Sequence, residues 1–134
     1  MAYWLLKSEP SEFSYADLER EGRTVWDGIS NALALQHLRA MNSGDRALFY
    51  HTGREKAAVG TVTVASDPYA NPRLRDPAPV VVDIVPDRRF ASPVPLSALK
   101  REEEFRDSPL LRISRLSLLP VTPAQWKLVN SLSK

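Results

Sequence analysis

Cysteine is absent from the 134 residues. The chain therefore has no disulfide, no thiol nucleophile, and no thiolate with which to hold zinc or an iron–sulfur cluster. Glycine is scarce, at 5 residues. Gly22, Gly28, Gly44, Gly53 and Gly60 match neither the phosphate-loop nor the dinucleotide spacing. The 2 histidines, His37 and His51, come with no His/Glu repeat at helical spacing, so no metal site is expected. No strand–GxSxG–helix context frames a serine nucleophile. Long apolar runs are missing too: none approaches the roughly 20 residues of a membrane-spanning helix. Lys7, Glu9 and Glu12 interrupt the apolar stretch that a signal peptide would need. The expectation is a cytoplasmic chain with no membrane partner and no cofactor. Net charge of one sign is nearly absent as well. Lys+Arg 18 against Asp+Glu 16 gives +2, too little to attract a polyanion strongly.

What is present is the composition of a globular protein, 43% hydrophobic and 25% charged. The length suits one domain spanning residues 1–134, expected as a monomer. Arginine outnumbers lysine; its planar fork suits phosphate, although a coding bias would also enrich it. Residues 37–101 carry a formal charge of +4, residues 1–36 carry −3 and residues 102–134 carry +1. With no metal, phosphate-loop or nucleophile motif, the residues favour a binding module over an enzyme.

Tyr3–Leu6 reads as a buried strand ending before Pro10. Ser14, with Asp17 three residues on, predicts a helix start, and Gly22 its stop. Asn31 predicts the cap of a second helix running to about Met41. Gly44-Asp45 turns into a strand over Ala47–His51, which pairs as a hairpin with a strand over Ala58–Ala65. Asp67 to Pro79 contains four prolines, which exclude a helix or a central strand. Strands are expected over Val80–Val85, Phe90–Val94 and Leu116–Val121, with a weak helix over Leu96–Phe105. Thr122, Pro123 and Gln125 predict the cap, first turn and N3 residue of a last helix. The order predicts an α+β fold, a small mixed β-barrel flanked by short helices.

Trp4 and Trp126 lie within a strand and a helix and read as core. Trp26 sits at a strand-to-loop junction before Asp27-Gly28, a position that suits the wall of a pocket as well as it suits the core.

The ordered set of Tyr3-Trp4-Leu5-Leu6-Lys7-Ser8-Glu9-Pro10, Phe13-Ser14 and Trp26-Asp27-Gly28-Ile29-Ser30-Asn31 resembles the opening of the EVE domain family. The likeness continues through Leu38-Arg39-Ala40-Met41, Phe49-Tyr50-His51, Asp67-Pro68-Tyr69, Val82-Asp83, Leu110-Leu111-Arg112, Ser114-Arg115-Leu116-Ser117 and Trp126. It implies a PUA-like fold. It also implies a relation to YTH domains, which read methylated adenine in RNA. The function implied is a non-catalytic reader of DNA or RNA carrying a modified base, methylated or oxidised cytosine or methyladenine, flipped into an aromatic-walled pocket.

By the same resemblance Trp26 is the pocket tryptophan and Lys7-Ser8 the pair beside it. Asn31 is the polar residue after Trp-Asp-Gly, and Arg115, Leu116 and Ser117 close the opposite side. Asp27, Tyr50 and His51 complete the candidate pocket, with Tyr50, Tyr69 and Phe105 as candidates for a second aromatic wall. Ser30 stands where the family commonly has arginine, Leu35-Gln36-His37 replaces a frequent Arg-Asn pair, and Val81 stands where an aromatic is common. Arg73, Arg75 and Arg88, in or beside the proline-rich loop, are the expected phosphate contacts. Two other readings stay open. One is a general RNA-binding PUA-like domain indifferent to modification. The other is an enzyme acting on a nucleobase or nucleotide-like ligand, with His51 or Asp27 as acid or base.

Overall fold

The first apolar run becomes strand β1 (Tyr3–Ser8), whose Trp4, Leu5 and Leu6 are buried. Around it a computed structural model describes residues 1–29, 31–70 and 80–134. Ser14 caps helix α1 (Tyr15–Glu21) through the reciprocal box that its spacing to Asp17 predicts: Ser14 Oγ accepts from the Asp17 backbone, and Asp17 accepts from the Ser14 backbone. Gly22, at φ +74°, ends it in a left-handed turn closed onto the Leu18 carbonyl. Strand β2 (Thr24–Trp26) follows, and then helix α2 (Ala32–Arg39). Asn31 Oδ1 accepts from the backbone of both Leu33 and Ala34 at 3.0 Å, so the helix starts where predicted. It ends at Arg39, short of Met41.

Strands β3 (Arg46–His51) and β4 (Ala57–Val64) form the predicted antiparallel hairpin. Residues Ala47–His51 are all buried because elements cover both faces of this central strand. Tyr69–Ala70 form a two-residue edge strand, β5, paired with Val80 and Val81; residues 71–79 of the proline-rich segment lie outside the described residues.

The two strands expected over Val80–Val85 and Phe90–Val94 are one, β6 (Val80–Pro95). It stays paired with β4 through two register breaks. At the first, Asp87 is the extra residue between Pro86 and Arg88; at the second, Val59 alone stands against residues 90–93. A bulge bends a strand without ending it, and it absorbs the proline that reads as a terminator. The helix expected over Leu96–Phe105 is divided into a single turn, α3 (Leu96–Leu99), and a 3₁₀ turn (Glu103–Phe105). Ser108 and Pro109 open a further turn, α4 (Pro109–Arg112), by the same hydroxyl-then-proline logic as the last helix. Strand β7 (Leu118–Val121) is shorter than Leu116–Val121 because Ser114 and Arg115 form a turn before it. Helix α5 (Pro123–Leu132) carries the capping box between Thr122 and Gln125.

The sheet order is β2-β6-β4-β3-β1-β7, with β1 parallel to β3 and the other neighbours antiparallel. The sheet curls into a half-barrel, and β2 and β7 are the two ends of its path. Leu6, Leu48, Phe49, Val62, Ile84 and Leu118 belong to the core cluster it encloses.

Candidate functional site

Both ends of the sheet contribute to one cavity of about 400 Å³. From one side come Thr24, Val25 and Trp26 of β2 with Asp27, Gly28 and Ile29 of the loop after it; from the other come Lys7 and Ser8 at the end of β1 and Ser117 before β7. Glu9, Glu12 and Phe13, in the turn that leads into α1, also line it. The cavity is the seam where the barrel does not close. Its volume falls within the range of about 300–1,000 Å³ common to small-ligand sites.

Trp26 is held edge-to-face against two phenylalanines, Phe13 at 6.2 Å and the fully buried Phe49 at 5.7 Å between ring centroids. Phe49 in turn packs edge-to-face on Tyr15 at 5.5 Å and His51 at 5.8 Å. Such contacts satisfy the ring quadrupoles and fix the indole against the core. Trp26 is half-buried and contributes to the cavity wall.

The polar lining is built by short local bonds. Ser8 Oγ donates to the Phe13 carbonyl at 2.5 Å, which folds the turn after β1 back on itself. Lys7 Nζ donates to the Ser114 carbonyl at 3.1 Å and its backbone N–H to the Ser117 carbonyl at 2.9 Å, tying the segment before β7 to β1. Burial lowers the Lys7 pKa from its ordinary value. The Glu9 carboxyl is held below the ordinary glutamate value, first by the Ser11 backbone N–H and then by the Ser11 and Thr52 hydroxyls. Glu9, Glu12 and Asp27 against Lys7 leave the residues lining this space with a net negative formal charge, although the Glu9 carboxylate itself is hydrogen-bonded to Ser11 and Thr52.

Of the expected pocket residues, Lys7, Ser8, Trp26, Asp27 and Ser117 are brought together here, and the others lie elsewhere. Asn31 is exposed, and its side-chain oxygen is spent on the α2 cap. Tyr50 and Leu116 are buried in the core cluster, as is Phe105, and Arg115 is exposed in the turn before β7. Tyr69 donates to Asp83 Oδ1 at 2.6 Å, away from the cavity lining.

His51 is buried with both ring nitrogens engaged. Its Nε2 accepts the Tyr15 backbone N–H at 3.1 Å, so the proton sits on Nδ1, 2.7 Å from Glu55 Oε1. The imidazole thereby caps the first residue of α1 and docks that helix on β3.

Arg88 lies on β6 over the Phe90 ring, its guanidinium donating to Asn130 Oδ1 at 2.6 Å and Ser133 Oγ at 3.3 Å. Arg73 and Arg75 lie outside the described residues. Glu9, Phe13 and Ile29, which carry the resemblance without being assigned to the pocket, line the cavity together with Glu12 and Thr24, which lie outside those motifs.

A family model described as the EVE domain matches residues 2–132. Rpa0253 from Rhodopseudomonas palustris, solved by NMR, has a TM-score of 0.93 with this chain at 39% identity, covering 99% of this chain and 93% of that one. Thymocyte nuclear protein 1 of Gallus gallus is 29% identical over 98% of this chain and 69% of its own. The human THYN1 protein, whose crystal structure is a complex with 5-methylcytosine containing DNA, matches with a TM-score of 0.91 at 27% identity, covering 100% of this chain and 98% of its own. ASCH from Zymomonas mobilis, at 13% identity and a TM-score of 0.64, shares the fold alone.

Proposed function

The chain belongs to the EVE domain family, and from that premise we propose that it binds nucleic acid and takes one modified base, turned out of the strand, into the cavity beside Trp26. The observation that carries this reading is the seam itself. An indole clamped by Phe13 and Phe49 walls a space large enough to admit a base between the two ends of the sheet, in the family whose human member is seen with 5-methylcytosine containing DNA.

Turning a base out costs a few kcal/mol, and stacking on an aromatic returns about 1–3 kcal/mol. Trp26 thus holds a flipped base without supplying net affinity. The choice of base falls to the polar rim. Ser8, Lys7 and Asp27 offer donors and acceptors to a base edge, and a mismatched edge leaves a buried group unpaired, at about 1–3 kcal/mol. One methyl seated on an apolar wall adds about 0.8 kcal/mol, so preference for a methyl mark lies between a few-fold and roughly 200-fold. The net negative charge of the lining residues disfavours phosphate. The base enters this space, and the backbone stays outside it.

A panel of short DNAs and RNAs, identical except for the modification on one base and measured at fixed salt, tests the reading. It predicts a preference for one modified base that Trp26→Ala abolishes while the protein stays folded. Equal binding of modified and unmodified strands by the unaltered protein selects a general nucleic-acid binder instead. Turnover of a modified nucleoside selects an enzyme.

A further inference from the structure

If phosphate is kept out of an acidic seam, the backbone must be held elsewhere. A second surface meets that need on charge and on position. An open groove of about 770 Å³ runs along α5, lined by Tyr3, Arg88, Trp126, Lys127, Asn130 and Lys134 among others. Three of these are cations, and among the described residues no Asp or Glu side chain lines it. Its floor is aromatic. Tyr3 and Trp126 stack nearly parallel, with centroids 4.6 Å apart and planes at 19°, and both are half-buried.

Arg88 differs from its neighbours in how it is held. Arg89 pairs with Glu19, Arg23 with Asp83 and Arg46 with Asp87. Arg88 is oriented by the neutral amide of Asn130 and the hydroxyl of Ser133, with no carboxylate partner among the described residues. Neutral acceptors fix the direction of a guanidinium without cancelling its charge, and that leaves its remaining donors for an anion.

Position links the groove to the cavity. Tyr3 and Lys7 lie four residues apart on β1, about 13 Å, at the two ends of a face on which the fully buried Leu5 lies between them, so a strand joining groove and cavity passes over what covers Leu5. At a rise of about 3.4 Å per nucleotide, that separation spans about four nucleotides.

We infer that this groove is the backbone-binding surface of the domain, where phosphodiesters flanking the inserted base meet Arg88, Lys127 and Lys134 over the Tyr3–Trp126 pair. The inference rests on the nucleic-acid reading above but not on the choice of base. Phosphate contacts weaken binding alike for every sequence when removed and set its dependence on salt, whereas base contacts set preference.

The test compares Lys127→Gln/Lys134→Gln with Trp26→Ala and the unaltered protein, over a salt series. The probes are a 12-nucleotide strand with the preferred modified base, its unmodified counterpart, and the modified nucleoside alone. Both lysines are exposed, so the double variant folds. The expected result is weaker binding of both 12-mers, a log–log salt slope smaller in magnitude by about 1 for each phosphate no longer neutralised, an unchanged ratio between the 12-mers, and unchanged binding of the nucleoside. An unaltered affinity and slope in the double variant, beside a preference abolished in Trp26→Ala, would overturn the groove and leave the base pocket standing. A lowered slope in a protein with no preference for modification supports the groove while the base reading fails. Polyglutamate that displaces the 12-mer as well as unlabelled 12-mer does would overturn the assignment to nucleic acid.

Discussion

Single residues carry more of this site than their local patterns announce. Gly60 is one. A Cβ there would lie 2.7 Å from the Tyr15 ring and 2.8 Å from the Arg88 carbonyl, because the ring packs against β4, where its hydroxyl donates to the Thr61 carbonyl at 2.8 Å. Gly60→Ala is expected to lower stability by about 1–3 kcal/mol, read from denaturant unfolding; an unchanged midpoint would contradict the packing. Gly53 is another, at φ +76° with Glu9 against its α-carbon. The sequence marks Gly60 only as a strand glycine, since the pressing ring comes from residue 15. Phe13 stays hidden for the same reason. It precedes the Ser14 cap, where any apolar residue reads as a helix-entry contact, and nothing local predicts that it meets Trp26. Trp126 is half-buried over Tyr3 rather than enclosed. Trp4 is the core residue its strand predicts, with its indole N–H given to Asp45 Oδ2 at 3.0 Å.

At the scale of elements, caps are the most legible feature because their chemistry lies within four residues. Ser14, Asn31 and Thr122 each start a helix where their spacing places it. Thr122→Ala is expected to cost about 1 kcal/mol and to loosen α5, hence the Tyr3–Trp126 stack, detectable as faster amide exchange at Gln125 and Trp126. His51→Ala should act on α1 in the same way, since it strips the partner of the Tyr15 N–H. Exchange in α1 no faster than in the unaltered protein would contradict that role. Strand continuity is less legible. Pro86 reads as an end, yet β6 runs through it because the bulged ladder with β4 needs no N–H there. Residue types do not reveal where a bulge will form, as the decision belongs to the partner strand.

For the whole molecule, the half-barrel explains why the cavity lies where it does. A sheet path that stops at β2 and β7 leaves a seam, and the seam is lined from both ends. Charge holds the assembly as well. Asp83 sits below the ordinary aspartate value, first through the Tyr69 hydroxyl and then through Arg23, and Glu9 is lowered in the same direction. Their contribution to stability is therefore full above the unfolded carboxylate value of about 4 and is lost as pH falls through the lowered folded values. Thermal unfolding between pH 6 and 2 should show a loss of stability that Asp83→Asn reduces; identical pH dependence would contradict the assignment. Tyr15, pushed up to about 12 by burial, adds the mirror case. Its contribution is full below the ordinary tyrosine value of about 10 and lost as pH rises towards 12. The central claim concerns what enters the seam, and a crystal structure of this protein with a strand carrying the one modified base that the binding panel selects addresses it most directly. The predicted result is that base turned out and stacked on Trp26 between Lys7 and Asp27. A complex in which every base stays in its stack, with the seam filled by solvent, would contradict it.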